Sequence, residues 1–573
     1  MRATLTAAEL RLTTKDPVVA LSVLLCCGDS CMMPQSIHDW GNVAPEMPRR
    51  LLHVPTMTSV ELPLPGNPRP KYNILSYTWG RWRSIEFDSI NIKGTPWKIP
   101  AVNPNFAFSP KQFEDVLRRV AKEVDYVWVD IACINQGRNP QDIAEGMDQI
   151  GKQMGIFKGA HEAYVWLHCS SNKQLEKIDE SEACFYEFGY MLESLGKARH
   201  THSHANPYDE GLVIETLDRA ITALRSWTSD PWFSSLWTLQ ESVLRRDAII
   251  LSCEGETVPP AGKGTPKELR MAGNFLRNIL QILCGSLQEG GNSPVLLKKL
   301  SEARDEIRSN VLAFMRCGNP NVPFGLAKHR TTNREEDRIY GIMQVYGLRL
   351  GKTVEPDKSF TLEQLKDQLS IRLNERCPVV AQMFVHSQTP RAGRSWQITQ
   401  ECWVPSPFIS CELRAREAND CSVSVDANMR AVITGRAWPL ADIIPVLEVE
   451  WNWGNLILDC NSNIGNASWK SIERGDPQSL GIADERLRER CDEVRRALSN
   501  SLDNVLPVEG LILVYMGRIQ SYDEQSVHLG LVLLRQQEFG NGSHLWVRAG
   551  ICSWRGGLEQ LPPNPIGGDF GVM

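Results

Sequence analysis

The chain has 573 residues, 42% of them hydrophobic and 23% charged, with a formal net charge of −6. This is ordinary globular composition, enough for about three domains, and it lacks the broad basic character that nucleic-acid binding calls for. The 16 cysteines are scattered, without CxxC pairs or zinc-like spacing, and many sit in apolar runs such as Ile131-Ala132-Cys133-Ile134. They read as buried free thiols of a reducing compartment. The apolar run Val18 to Cys27 follows Lys15-Asp16-Pro17 and is too short to cross a bilayer or to pair with a proper leader. The expectation is a cytoplasmic protein with no membrane span. Asn466-Ala467-Ser468 and Asn541-Gly542-Ser543 then match the glycosylation pattern by chance.

In chain order, residues 1–47 read as an accessory segment. Pro63, Pro65, Pro68 and Pro70 punctuate the approach to a strand, Tyr72 to Tyr77, that ends at Trp79-Gly80. Phe113, Val116, Leu117, Val120 and Val124 predict a helix by their spacing. The run Tyr126 to Ile131 predicts a buried strand. Ile143, Met147, Ile150, Met154 and Phe157 mark a second amphipathic helix, and Ala163 to Leu167 a third strand. Strands separated by helices of this length imply crossovers and a parallel sheet, with the functional crevice beyond the strands' C-terminal ends. A helical excursion with the polar run Arg199 to Gly211 follows. Asp230 then caps a helix with Pro231 at its first position, continuing through Glu241 and Leu244. Ala248 to Ser252 is a further strand.

Residues 255–394 read as mainly helical, around 265–316 and 360–375. Residues 395–555 read as β-rich, with alternating runs at Ser422–Val425, Ala431–Thr434, Leu511–Val514 and Val527–Val532 and a charged helix near 483–500. The Gly- and Pro-rich stretch 556–573 reads as a loose tail. The fold class is therefore α/β, with a helical middle region and a β-rich C-terminal region.

Three clusters fall where a crevice would lie. Ser76-Tyr77-Thr78-Trp79-Gly80 closes the first strand, with hydroxyls from Ser76 and Tyr77 and a tight exit at Gly80. Asp130-Ile131-Ala132-Cys133-Ile134-Asn135-Gln136 puts an acid and two amides after the second. Trp232-Phe233-Ser234-Ser235-Leu236-Trp237-Thr238-Leu239-Gln240-Glu241 sets a carboxylate on an aromatic-rich helix. Each has a bland alternative: core tryptophans, an aspartate that caps a turn, a solvated glutamate.

Taken in order, these clusters resemble the three motifs of the HET (heterokaryon incompatibility) domain of filamentous fungi. Tyr72-x-x-Leu75-Ser76-Tyr77-x-Trp79-Gly80 is similar to the first, Trp128-x-Asp130-x-x-Cys133-Ile134-Asn135-Gln136 to the second, and Trp232-Phe233-x-x-x-Trp237-Thr238-Leu239-Gln240-Glu241 to the third. Glu145, Gln149, Met154, Ala160 and Trp166-Leu167 continue the second motif's spacing. Pro48-Arg49-Arg50-Leu51-Leu52 resembles the family's lead-in, and Asp337-Arg338-Ile339-Tyr340-Gly341 a segment that often follows. The HET domain would span 48–254. Departures are the delay of an acidic residue to Asp142, Phe157 where a tyrosine is usual, and Ser235 near a common arginine.

The resemblance implies a role in self/non-self recognition, with cell death after unlike fungal cells fuse, through an unidentified protein partner or self-association. It also implies a remote likeness to TIR domains, a TIR/flavodoxin-like parallel sheet, and cleavage of the nicotinamide–ribose bond of NAD as substrate, with no cofactor. On that reading Glu241 is the catalytic carboxylate. Tyr77, Trp79 or Trp237 stacks on a ring, Ser76, Asn135 and Gln136 bind hydroxyls or phosphate, and Asp130 orients them. The rival reading is a non-enzymatic module that signals by assembly. No metal is expected. His200-Thr201-His202-Ser203-His204 has no cysteine or acid at ligand spacing, and Gly351-Lys352-Thr353 lacks the upstream glycine of a P-loop. The serines near His161 and His168 form no nucleophile elbow.

Overall fold

The computed structural model describes residues 43–572 except 67–68, 201–208, 258–265, 289–291, 315–317, 406–407, 409–410, 413–419, 441, 444–454, 460–509, 522–525, 536–544, 556–557 and 559–560. The run Val18 to Cys27, the histidines 202 and 204, both glycosylation-like triplets and the helix expected near 483–500 lie outside these residues. The chain forms two compact units. One comprises 44–316 with 329–333; the other is built mainly from 317–328 and 334–573. Among the described residues no helix is long and apolar enough to cross a membrane.

The first unit is built on a six-stranded sheet. Its strands are β1 (Arg50–His53), β2 (Thr58–Glu61), β3 (Tyr72–Ser76), β4 (Tyr126–Trp128), β5 (Ala163–Trp166) and β6 (Ile249–Leu251). The order is β2-β1-β4-β3-β5-β6. β4, β3, β5 and β6 run parallel. The sheet is therefore mixed rather than purely parallel, because β1 and β2 form an antiparallel hairpin on the β4 edge. That hairpin occupies the Arg50-Leu51-Leu52 lead-in. The chain steps from β3 to β4 on one side and then crosses to β5 on the other. The reversal leaves a crevice beyond the ends of β3 and β5, where open α/β sheets bind ligands.

The β3–β4 crossover is α1 (Pro110–Val120). Ser109 and Gln112 form a capping box at its start. Phe113, Val116, Leu117 and Val120 are buried, as their i, i+3, i+4, i+7 spacing requires. Asn73, fully buried in β3, donates to the Val120 carbonyl at 2.8 Å and accepts from the Glu162 amide at 3.0 Å. One side chain thus locks the end of α1 and the entry to β5 to the central strand.

Three expectations need correction. The run Tyr126 to Ile131 is not one strand: β4 stops at Trp128, and Asp130 opens the one-turn α2 (Asp130–Cys133). The helix expected over 143–157 is two, α3 (Pro140–Gly151) and α4 (Gln153–Gly159), meeting at Lys152. Its packed face in α3 is small and polar rather than apolar. Gly146 and Gln149 are buried while Ile143 is exposed, since a side chain at 146 would come within 2.9 Å of the Asn135 carbonyl. The helix expected from Asp230 is a 3-10 turn, Pro231–Ser234, followed by α7 (Leu236–Leu244), with Ser235 extended between them. The intervening helices α5 (Lys177–His200) and α6 (Glu210–Thr228) pair with each other.

The second unit carries the helix Leu362–Arg376 and the β-rich region. Its strands β7 (Ala431–Pro439), β8 (Leu511–Ser521), β9 (Ser526–Arg535), β10 (Leu545–Arg555) and β11 (Ile566–Val572) pair in succession, and β7 pairs with both β8 and β11. The sheet therefore closes into a barrel, which removes free edges. The stretch expected to be a loose tail supplies the closing strand: Ile566 to Val572 pair residue by residue with Ala437 to Ala431. From β10, Arg548 Nη1 donates to both oxygens of the buried Asp459 carboxylate, at 2.9 and 2.8 Å.

Deleting residues 566–573 should open this barrel. It removes a full strand ladder and the buried Phe570 and Val572. The second unit's melting temperature should fall by roughly 5–10 °C in calorimetry. An unchanged transition would mean that the strand is dispensable.

Candidate functional site

β3 ends at Ser76, and its hydroxyl fixes the centre of the site. The Trp232 indole Nε1–H donates to Ser76 Oγ at 2.8 Å, and Ser76 donates to Glu241 Oε2. An indole nitrogen can only donate, and a serine has one proton. The direction of the chain is therefore set: Trp232 occupies a Ser76 lone pair, and the single Ser76 proton points at Glu241.

Trp232 is held by Asp230, whose Oδ1 accepts from the Trp232 amide at 3.0 Å. Asp230 Oδ2 accepts from the Cys169 amide at 2.9 Å and from Ser170 Oγ at 3.1 Å, tying the turn to the loop after β5. Burial pushes the Asp230 carboxyl up to about 6 despite these donors. Ser235 is extended where a sequence-distant strap supplies backbone partners to the residues on either side of it. Thr331 donates its amide to the Ser234 carbonyl at 2.8 Å and accepts from the Leu236 amide at 3.0 Å. The motif bearing Glu241 is thus held by residues far beyond the end of the β6 strand.

Glu241 is partly exposed, yet its carboxyl is densely surrounded. Desolvation raises its pKa to about 8; the Ser76 hydrogen bond opposes this and the negative charge of Asp130 adds to it. Asp130 is also partly exposed. Burial likewise raises its pKa, against hydrogen bonds from Trp79 and the Ile131 amide and the charge of Arg83. Trp79 Nε1 donates to Asp130 Oδ2 at 2.6 Å and the Ile131 amide to Oδ1 at 2.7 Å. Two neighbouring carboxyls therefore resist ionising together. A positive charge brought beside them would favour the ionised form of both.

The remaining candidates divide. Gln136 accepts from Arg83 Nη2 at 2.7 Å, and that guanidinium lies 4.8 Å over the Trp79 ring, so Trp79, Arg83, Gln136 and Asp130 form one wall. Trp237 is partly exposed one turn before Glu241, on the same face of α7. Asn135 is not at the crevice in this sense. Its side chain donates to Asp142 at 3.0 Å and accepts from the Gly137 amide at 2.9 Å, shaping the loop into α3. Tyr77 is packed among Phe108, Phe113 and Trp166, with ring centroids 5.3–6.3 Å away, so its ring is not free to stack on a ligand. Its buried hydroxyl lies beside Asp130 without a hydrogen bond of good geometry, and its pKa is held well above the ordinary tyrosine range by burial. Gly80 begins a 3-10 turn, and a Cβ there would meet nothing within 4 Å, so the exit does not need glycine.

His168 receives or donates one hydrogen bond with Thr78 at 2.9 Å, and burial lowers its pKa to about 4, leaving it neutral. Just before β4 and β5 begin, Glu123, His161 and Glu162 bring ligand atoms within 4.8 Å of one another. Glu162 is already engaged by the Tyr164 hydroxyl. Residues that the sequence reading left without a site role are Trp232, Arg83, Arg81 and Arg330. Trp232 stood inside the third motif. No local pattern marks Arg330, which the chain brings in only through the strap.

The fold and site define an α/β domain with a carboxylate pair at the crevice of a mostly parallel sheet. Residues 72–241 match the family model described as "Heterokaryon incompatibility protein (HET)", from the first residue of β3 to the crevice glutamate. The chain carries a HET domain. It is also 27% identical over 250 residues to heterokaryon incompatibility protein 6, OR allele, of Neurospora crassa, covering 38% of this chain and 33% of that protein. The chain thus spans about a third of the length of this curated relative. No solved structure matches.

Two predictions follow from the carboxylate. A folded pKa near 8, against 4.5 unfolded, means that the native state holds a proton the unfolded state has released. Stability should fall as pH rises through that window, by on the order of 2–4 kcal/mol. Glu241→Gln should flatten this loss in denaturant titrations at pH 5 and pH 8.5; an equal slope in both proteins would contradict the assignment. Ser76→Ala removes the donor to the carboxylate, so the Glu241 pKa should rise by about one further unit. Isotope-edited infrared titration of the carboxyl reads this directly.

Proposed function

We propose that this chain acts in fungal self/non-self recognition and regulated cell death, and that its HET domain cleaves NAD to nicotinamide and ADP-ribose in the manner of TIR domains. The observation that supports this reading is the Glu241 carboxyl, aimed at by Ser76, beside Asp130 at the switch point of the sheet. The strand order of β4, β3, β5 and β6, second-first-third-fourth in the chain, is the flavodoxin-like order, in keeping with a TIR-like sheet.

The chemistry suits such a site. The nicotinamide ring of NAD carries a positive charge, which the carboxylate pair attracts and which favours ionised Glu241. The bond between C1′ and the ring nitrogen breaks with its electron pair going to nitrogen, so nicotinamide leaves neutral and needs no general acid. The ribose acquires oxocarbenium character, which Glu241 stabilises across a short distance of low polarity. Water adds to C1′ and gives up its proton to Glu241 or solvent, yielding ADP-ribose. Trp237, partly exposed one turn away, is placed to cover a ring.

Purified full-length protein should release nicotinamide from NAD, with a rate rising through about pH 8 as Glu241 ionises. Glu241→Gln should lower the rate by at least about a hundredfold. Release that is undiminished in Glu241→Gln removes Glu241 from the chemistry. Cell death with unchanged NAD favours the rival reading, a module that acts by assembly with partners.

A further inference from the structure

The turn that leads into the helix of Glu241 collects two arginines that have no acidic partner among the described residues. Arg330 is 3% exposed. Its Nη1 donates to the carbonyls of Trp232 at 3.1 Å and Ser235 at 3.3 Å, while Nε and Nη2 donate to nothing among the described residues. Arg81 donates from Nη1 to Ser234 Oγ at 3.3 Å and from Nη2 to Thr331 Oγ1 at 3.2 Å. Both guanidinium groups therefore meet the Ser234–Ser235 turn and the 330–331 strap, and every partner they have is neutral.

Two carbonyls do not require a guanidinium; a neutral amide satisfies them without burying a charge. A buried cation with no counter-charge is costly, by several kcal/mol in general. Its retention calls for an anion from outside the chain. The turn is suited to one: Ser235 stands at the N-cap of α7 with its side chain making no capping bond, and α7 directs its positive end there. Arg330 loses part of its charge preference to burial, its pKa lowered to about 9, and no acid offsets this.

We infer that Arg330 and Arg81 form a phosphate subsite of the crevice, which takes the diphosphate of a nucleotide ligand. The inference rests on the NAD reading for the identity of that ligand. The placement is economical: Trp232 donates from its indole to the Ser76–Glu241 pair and accepts Arg330 on its carbonyl. One residue thus joins a place where two carboxyls crowd each other to a place that lacks negative charge. NAD carries both, a cationic ring and a diphosphate, separated by one ribose.

The test uses the full-length protein and calorimetric titration with inorganic pyrophosphate and ADP-ribose. Wild type should bind both, more weakly at high salt. Arg81→Gln, an exposed substitution that leaves the fold intact, should weaken both by about tenfold or more. Arg330→Gln should do the same where it folds. Arg118→Gln, on a distant exposed helix face paired with Glu114 and Asp115, should change neither. Unchanged pyrophosphate affinity in Arg81→Gln, no binding to wild type, or an equal loss in Arg118→Gln overturns the subsite. The two claims separate cleanly. Arginine-dependent pyrophosphate binding without nicotinamide release supports the subsite while the NAD reading fails. Nicotinamide release with the same KM in wild type and Arg81→Gln overturns the subsite while that reading stands.

Discussion

The first unit depends on a conflict of charge at the end of its central strand. Glu241 and Asp130 approach one another where solvent reaches both but does not screen them well. Among the described residues neither carboxyl has an ion pair; Glu241 is held by a serine and Asp130 by an indole and an amide. A carboxylate pair of this kind contributes little to stability and raises the cost of ionisation. On the function proposed above it receives positive charge, and the hydrogen bonds of Ser76, Trp79 and Ile131 hold it in place.

That arrangement is built from rigid parts. β3 sits between β4 and β5, and Asn73 bolts it to both crossovers. Trp232 and Trp166 are fully buried, so the side chains that aim Ser76 and shape the floor cannot swing. Asp230 joins the Trp232 turn to the loop after β5 through three donors. The strap at 330–331 then completes the turn from outside the contiguous motif region. A fragment ending near residue 254 would carry all three motifs and yet leave the Ser234–Leu236 backbone without its partners.

Much of this was legible in the sequence, for physical reasons that differ by element. The parallel strands announced themselves because buried strands are continuous apolar runs, and α1 because its face repeats at helical spacing. Glu241 and Ser76 were legible through the motifs. The breaks were not. Asp130 turning the chain into α2 depends on its own carboxylate accepting the next amide, and the extended Ser235 depends on Thr331, a contact that no local window contains. Tyr77 reads as a ligand-facing hydroxyl in sequence, but three aromatic neighbours, two around the start of α1 and one from β5, enclose it. The closing barrel strand was hidden by its glycines, which suggest looseness when read alone and permit pairing when a partner strand is present.

The measurement that bears most directly on this account is the titration of the Glu241 carboxyl itself, by isotope-edited infrared spectroscopy with Glu241→Gln as the blank. The expected result is an apparent pKa near 8 in the free protein, falling when NAD, with its cationic nicotinamide ring, is added. A value near 4.5 that NAD does not move would show an ordinary solvated glutamate, and the central role given to this carboxylate would be wrong.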